Sequence, residues 1–356
     1  MLVVAAAEEA RTGRASLLRV NLGANGVNRG LFGPGTEGAL SELQRQVGLQ
    51  VTGKIDALTI AALDNELVKA RTPSTPPVTP PVTPPSTGGA VTHARFAAHA
   101  AFGDVAAGRV VMRAGDSGPA VSALQQALLD MGFNMMALRN DVGVSGVDGS
   151  WGDQTSTALK NFQTHAKKRG HTTVSVNGNL DAATLRALEA LVPAPDKKAW
   201  DAGQPNHAPV ARWNGDASKN LRIVTVKDEH RTFLFDNSGV CTGIFSNAHG
   251  TAGSETDTGL KKIRTKLDES GAQATGNQLW GDARAFGKRI LDLQWASGNS
   301  SGEELHGTFD YRNMGKNVSH GCVRHYNEGI ITMFNAVSVG EHVAIVTSVD
   351  DPMLRA

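Results

Sequence analysis

Cysteine is nearly absent from this 356-residue sequence, in which Cys241 and Cys322 are the two occurrences. Two thiols cannot build a disulfide framework, and a single pairing would silence either one as a nucleophile. A surplus of one charge sign is missing too. Thirty-five Lys and Arg face 34 Asp and Glu, for a formal net charge of +1, so no bulk electrostatic argument favours nucleic acid or an anionic membrane. No run of about 18 apolar residues occurs, so no membrane span is expected. The N-terminus, Met1-Leu2-Val3-Val4-Ala5-Ala6-Ala7 before Glu8-Glu9, lacks the basic region and adequate apolar stretch of a secretory signal. As it stands it predicts no signal-dependent export.

What is present is organised by repetition. The length suits roughly two to three domains. Residues 1–71 read as three short helices around glycine turns, with Leu40, Leu43 and Val47 at helical spacing. The text then returns. Trp151-Gly152-Asp153-Gln154-Thr155 through Leu159 matches Phe32-Gly33-Pro34-Gly35-Thr36 through Leu40, and Phe162-Gln163 matches Leu43-Gln44. Val176-Asn177-Gly178-Asn179-Leu180-Asp181 repeats the turn Val51 to Asp56, and Thr184 and Leu188 echo Thr59 and Leu63. Both copies resemble the peptidoglycan-binding three-helix module, with the second, residues 112–193, the fuller one. That resemblance implies a polymer partner, peptidoglycan. Trp151, Phe162 and Phe32 are equally readable as core aromatics.

Between the copies, residues 72–111 read as a linker. Thr72 to Gly89 is Pro/Thr-rich and suits an extended, semi-rigid spacer, and the alanine-rich Ala90 to Val110 has room for a short helix. A second linker is expected at 194–217. From 218 to 350 the pattern becomes strand-like, with Leu221 to Val226, Thr232 to Phe235 and Val240 to Phe245 around the turn Asp236-Asn237-Ser238-Gly239. Further strands are expected at Arg289 to Leu293 and Val343 to Val346, and one helix at about Asn327 to Val337. The expected fold class is multidomain: two small all-α three-helix modules and a mainly β domain.

Within that last domain, Ser319-His320-Gly321-Cys322-Val323-Arg324 gathers a hydroxyl, an imidazole, a thiol and a guanidinium, with His306-Gly307-Thr308 upstream. A thiol attacks as the thiolate, so it needs a neighbouring base or a positive field to lower its pKa from about 8.5. The helix expected just after Cys322 offers such a field. The spacing of the two motifs resembles the catalytic core of the L,D-transpeptidases, the YkuD-type domain, over about Leu221 to Val346. The resemblance implies that Cys322 is acylated by a stem tetrapeptide with release of its terminal D-Ala, and that the acyl group passes to a diaminopimelate amine. It further implies His306 as base, oriented by the Gly307 carbonyl, with His320 in support. The Gly321 and Cys322 amides would face the oxyanion, and Arg324 and Ser319 would contact substrate. Thr256-Asp257-Thr258-Gly259 corresponds to the family's Pro-Thr-Gly loop, which places Thr258 and Gly259 at the substrate. No cofactor or metal is expected, and the site of action implied is the periplasm or cell wall.

Three rivals stand beside this reading. His306, His320, Cys322 and His325 are competent zinc ligands, and Ser246-Asn247-Ala248-His249 faintly suggests a zinc peptidase pattern. A wall-binding protein without catalysis is the second. The third keeps the nucleophile but uses water, giving an L,D-carboxypeptidase or endopeptidase such as a phage lysin or secreted effector. Cys241 reads as a core residue in mid-strand, and His325 either as a support behind the site or as a solvated helix start.

Overall fold

The computed structural model describes residues 90–139, 142–216 and 218–354, together with Gln44. The first repeat otherwise lies outside the described residues, as do Phe32 and the Pro/Thr-rich segment. The chain divides into two compact units between Pro84 and Pro85, and the elements below belong to the second.

Two short helices, α1 (Ala94–Ala97) and α2 (Ala100–Ala106), precede α3 (Pro119–Asp130), a hairpin of β1 (Met136–Arg139) and β2 (Val142–Ser145), α4 (Asp153–Lys168) and α5 (Ala182–Leu191). The periodic residues do what their spacing implies. Val121, Leu124 and Leu128 of α3, Leu159, Phe162 and Ala166 of α4, and Leu185 and Leu188 of α5 are buried in one core with Trp151. Phe96, Phe102 and Val105 are buried in that same core, so residues 94–106, expected in a linker, are instead part of the packed helical body. The β1–β2 hairpin was not expected either.

The repeated glutamine has a physical role here. Gln163 accepts from the Asn177 and Gly178 amides and donates to the Asn179 carbonyl at 2.8 Å. Gln125 treats Asp148, Gly149 and Ser150 in the same way. Each glutamine satisfies both ends of a buried turn, which an apolar residue could not do. Gln44, its counterpart in the first copy, is helical and buried.

The C-terminal domain contains β3 (Leu221–Val226), β4 (Arg231–Phe235), β5 (Cys241–Gly250), β6 (Gly259–Leu267), α6 (Glu269–Trp280), β7 (Ile290–Trp295), β8 (Ser300–Thr308), β9 (Asn317–Ser319), β10 (Val323–Tyr326), α7 (Asn327–Ala336) and β11 (His342–Val346). The sheet runs β10-β8-β7-β6-β11-β3-β4-β5-β9, and β10 also pairs with β5. That extra pairing closes eight strands into a barrel-like ring, which removes the open edges of the sheet. Leu305, Val323, Ile330 and Met333 share a core between the β8–β10 pair and α7. Because side chains alternate along a strand, the neighbours of Leu305 and Val323 face the other way.

The helical body is packed directly against this domain. Arg231 of β4 is almost fully buried, where it pairs with Glu229, donates to the Met131 carbonyl at 3.2 Å and contacts His165 Nδ1 at 2.9 Å. Its guanidinium stacks 4.6 Å from the Phe133 ring centroid. Asn134 and Ser246 exchange two hydrogen bonds, at 2.7 and 3.0 Å. The expected second linker is also packed in part: Ala199 is buried in the core with Leu221 and Phe233, and Trp200, Ala208, Ala211 and Trp213 pack against it.

Candidate active site

Strands β8 and β10 are parallel neighbours, with Val323 opposite Leu305 and Arg324 opposite His306. Since Val323 and Leu305 point into the core, Cys322, Arg324, Glu304 and His306 all point to the opposite face. They line a cavity of about 860 Å³ that also receives Ser319, His320, Phe286 and Trp280. The pattern invisible in one strand becomes a site when two strands lie in register.

Cys322 is half-buried, and its thiol donates to Glu304 Oε2 at 3.1 Å. Burial, followed by the Glu304 charge and this hydrogen bond, pushes the thiol up to about 12. Burial also raises the Glu304 carboxyl above its ordinary range. His306 is buried, its Nδ1 lies 2.6 Å from the Gly307 carbonyl, and its ring meets Phe286 edge-on at 4.8 Å. Burial, reinforced by the Arg324 charge, lowers it to about 4. At neutral pH the resting site therefore holds a neutral thiol and a neutral imidazole. The Gly307–His306 contact fits a ring whose Nδ1 carries the proton, leaving Nε2 able to accept one.

The expected helix field at Cys322 is not there. Strand β10 stands between the thiol and α7, which begins at Asn327. A four-residue strand carries Cys322 beyond the first turn, where the field is felt. Asn327 instead braces the end of β8 beside His306: its Oδ1 accepts from the Lys288 amide and its Nδ2 donates to the Thr308 carbonyl, both at 3.0 Å.

The turn before the thiol is built from its own residues. Gly321 has φ +115°, a backbone state L side chains rarely adopt. Its amide donates to Ser319 Oγ at 3.3 Å and its carbonyl accepts from Thr256 Oγ1 at 2.5 Å. Ser319 also donates to the Cys322 carbonyl. The Gly321 amide is thus already engaged in the resting turn, and Ser319 serves the turn itself. His320 is exposed, its ring tilted against Trp280 at 5.9 Å. Arg324 lies 3.8 Å from Asp310 at the cavity wall, and its Nε is buried without a partner.

Two expected substrate residues are not brought to the cavity. Thr258 is exposed outside it, and Gly259 lies at the start of β6, where a Cβ would come 2.7 Å from the Trp295 ring. Packing against Trp295 accounts for that glycine, and Thr256 is the loop residue that reaches the nucleophile turn. The zinc set does not converge either. His325 sits on the far face of β10, bonded to Thr232 at 2.9 Å, and His249 stacks on His230 with Nε2 on the Lys227 carbonyl. Among the described residues no group of three His, Cys, Asp or Glu is placed to hold a metal ion. Cys241 is a free, buried core residue.

Sequence reasoning missed Glu304. Only the pairing of β8 with β10 reveals that it lies beside the thiol, because 18 residues separate the two. It missed α6 too, whose last residues Leu279 and Trp280 stand exposed at the cavity mouth.

Residues 220–345 match the model of the L,D-transpeptidase catalytic domain, YkuD, and residues 10–63 and 117–188 match that of the peptidoglycan binding domain. No curated protein matches the chain. Among solved structures it is similar to an L,D-transpeptidase from Xylanimonas cellulosilytica, at 17% identity and TM-score 0.38 over 66% of this chain and 96% of that one. It is similar to an L,D-transpeptidase from Stackebrandtia nassauensis at 18% identity and TM-score 0.32, covering 66% and 94%. For L,D-transpeptidase 3 from Mycobacterium tuberculosis, in complex with a faropenem-derived adduct, identity is 17% and TM-score 0.27, covering 35% of this chain and 58% of that one. The chain thus carries a segment matching the YkuD-type L,D-transpeptidase catalytic domain together with two segments matching the peptidoglycan binding domain.

Proposed function

We propose that Cys322 attacks a peptide carbonyl of a peptidoglycan stem tetrapeptide, releasing the terminal D-Ala and leaving the remaining acyl group on sulfur as a thioester. The observation that carries this reading is the convergence of Cys322, His306 and Arg324 on one cavity face, with Arg324 Nε buried and unpartnered. A guanidinium with a free donor suits a substrate carboxylate. With a thiol near 12 and an imidazole near 4, no thiolate–imidazolium pair is stored at rest. The proton moves from sulfur to His306 Nε2 as the C–S bond forms, and His306 returns it to the departing amine. For this the thiol must turn from Glu304 toward His306, its diagonal neighbour across the strand pair.

The acyl group then passes to a diaminopimelate amine of a second stem, giving a cross-link. The three expected domains divide the work: residues 1–71 and 112–193 hold the polymer, and 218–350 carry the chemistry. His320, on Trp280 at the mouth, guides substrate entry. Incubation with a carbapenem or a tetrapeptide donor, followed by intact-protein mass spectrometry, tests the first step. One adduct located on Cys322 is expected in the wild type and none in Cys322→Ala. An unmodified wild-type protein with no turnover of tetrapeptide contradicts the reading.

A further inference from the structure

Glu304 is out of place for the first half of that reaction. A carboxylate 3.1 Å from the nucleophile opposes formation of negative charge on sulfur, and among the described residues no cation forms an ion pair with it, Arg264 acting on it only through its charge at longer range. Asp292 lies opposite Glu304 on β7, and Arg264 on β6 is bonded to Asp292. Arg324 and His306 share the cavity, with Arg324 reaching toward Asp310. Packing does not account for Glu304 either, since its neighbours Leu305 and Glu303 are the ones turned to the protein interior. A group that hinders acylation yet touches the reacting sulfur belongs to another step.

Once sulfur is acylated it has no proton to donate, and the Glu304 carboxylate loses its partner. It then stands on the cavity face beside the acylated residue, 3.1 Å from the place the sulfur holds at rest. An entering amine offers such a carboxylate hydrogen-bond donors and positive charge together, whereas water offers donors alone. In a half-buried cavity that difference is larger than it is in bulk solvent.

We propose that Glu304 is the acceptor-side catalytic residue, binding a primary amine of a second stem peptide and taking its proton as it attacks the Cys322 thioester. This rests on the acyl-enzyme reading above and selects amine over water as acceptor. The ammonium pairs with Glu304 and releases one proton to solvent. The neutral nitrogen forms the N–C bond, and the proton expelled from the tetrahedral adduct passes to the carboxylate. The C–S bond breaks with its electron pair on sulfur, and the thiolate recovers the proton from Glu304. The S–H···O contact seen in the resting site is the state this sequence of transfers restores.

The test uses the full chain, a disaccharide-tetrapeptide donor and a diaminopimelate-containing tripeptide as amine acceptor. Cross-linked dimer and hydrolysed tripeptide are quantified by mass spectrometry, with carbapenem acylation followed in parallel across pH. Glu304→Gln is expected to acylate faster at pH 7, because the opposing charge is gone, while its ratio of cross-link to hydrolysis falls at least tenfold. Glu304→Asp, which keeps the charge but withdraws it from sulfur, should give an intermediate ratio. A wild-type ratio in whichever variant folds, or a folded Glu304→Gln protein that no longer acylates, overturns the assignment. Absence of any Cys322 adduct in the wild type overturns the acyl-enzyme reading instead.

Discussion

At the scale of single residues, the site is a pair of neutral groups rather than a stored ion pair, and this has a signature in pH. Because His306 is lowered to about 4 and Cys322 raised to about 12, the free enzyme keeps one protonation state across neutrality. The profile of kcat/KM for acylation should therefore be flat from about pH 6 to 9 and fall on the acid side as His306 gains its proton. A limb centred near the ordinary thiol value of about 8.5 would show that Cys322 is not held as described. His306→Ala should lower acylation by about 10²–10⁴-fold, the usual range for a positioned general base. Arg324→Ala should act on substrate rather than on the thiol. Losing a hydrogen bond to a charged group, about 1.5–3 kcal/mol, predicts KM for the tetrapeptide raised about tenfold to a hundredfold, with carbapenem labelling of Cys322 retained as the control for folding.

At the scale of elements, the start of β4 is held to the helical body by the buried Arg231–Glu229 pair and its His165 and Phe133 contacts. Removing one member leaves the other charge buried and alone, which costs about 3–5 kcal/mol. Arg231→Met should accordingly lower the unfolding midpoint by on the order of 10 °C, although Arg231 is no part of the catalytic cavity. A shift under about 2 °C in calorimetry would contradict this role. What the sequence shows of these elements follows their periodicity. Helices α3, α4 and α5 and strands β3, β4 and β11 carry regular apolar faces and are legible. Helix α6 buries only Ala272 and Gly276, so it has no apolar stripe to read. Strand β8 is legible at its His306 end alone, because its other outward residues are polar and face the cavity or solvent. Cys322 and His306 stand out in the sequence as motif residues, but Glu304 is two residues from His306 in a stretch with no motif. Its meaning comes from the register of β8 on β10, a long-range pairing that local pattern does not encode.

At the scale of the whole molecule, the packed interface changes what truncation should do. The Pro/Thr-rich stretch reads as a spacer, yet residues 94–191 are built against the catalytic domain through Arg231, Asn134 and Ala199. Deleting residues 1–84 should reduce binding to sacculi while leaving turnover of a soluble tetrapeptide within about twofold, since tethering raises effective concentration without adding a catalytic contact. Deleting residues 1–193 should also destabilise the catalytic domain, seen as a lower unfolding midpoint. Acid should do the same to the intact chain. His165 and His306 are lowered to about 4 from 6.5 and stay neutral in the fold. The unfolded state therefore binds more protons below pH 6.5, and stability present above that value is lost as pH falls toward 4. A midpoint that does not fall between pH 6.5 and 4 would contradict the burial of these rings. Among the described residues no helix is long and apolar enough to cross a membrane, and the peptidoglycan-related domains point to a role at the cell wall or periplasm.

The central claim is that Cys322 carries the acyl group of a stem peptide to a second stem. Its most direct test is mass spectrometry of purified muropeptides incubated with the wild type and with Cys322→Ala. The account predicts loss of tetrapeptide and gain of a diaminopimelate-linked dimer with the wild type, and unchanged muropeptides with Cys322→Ala. Dimer formed by Cys322→Ala, or tetrapeptide consumed by the wild type with tripeptide as the sole product, would contradict it.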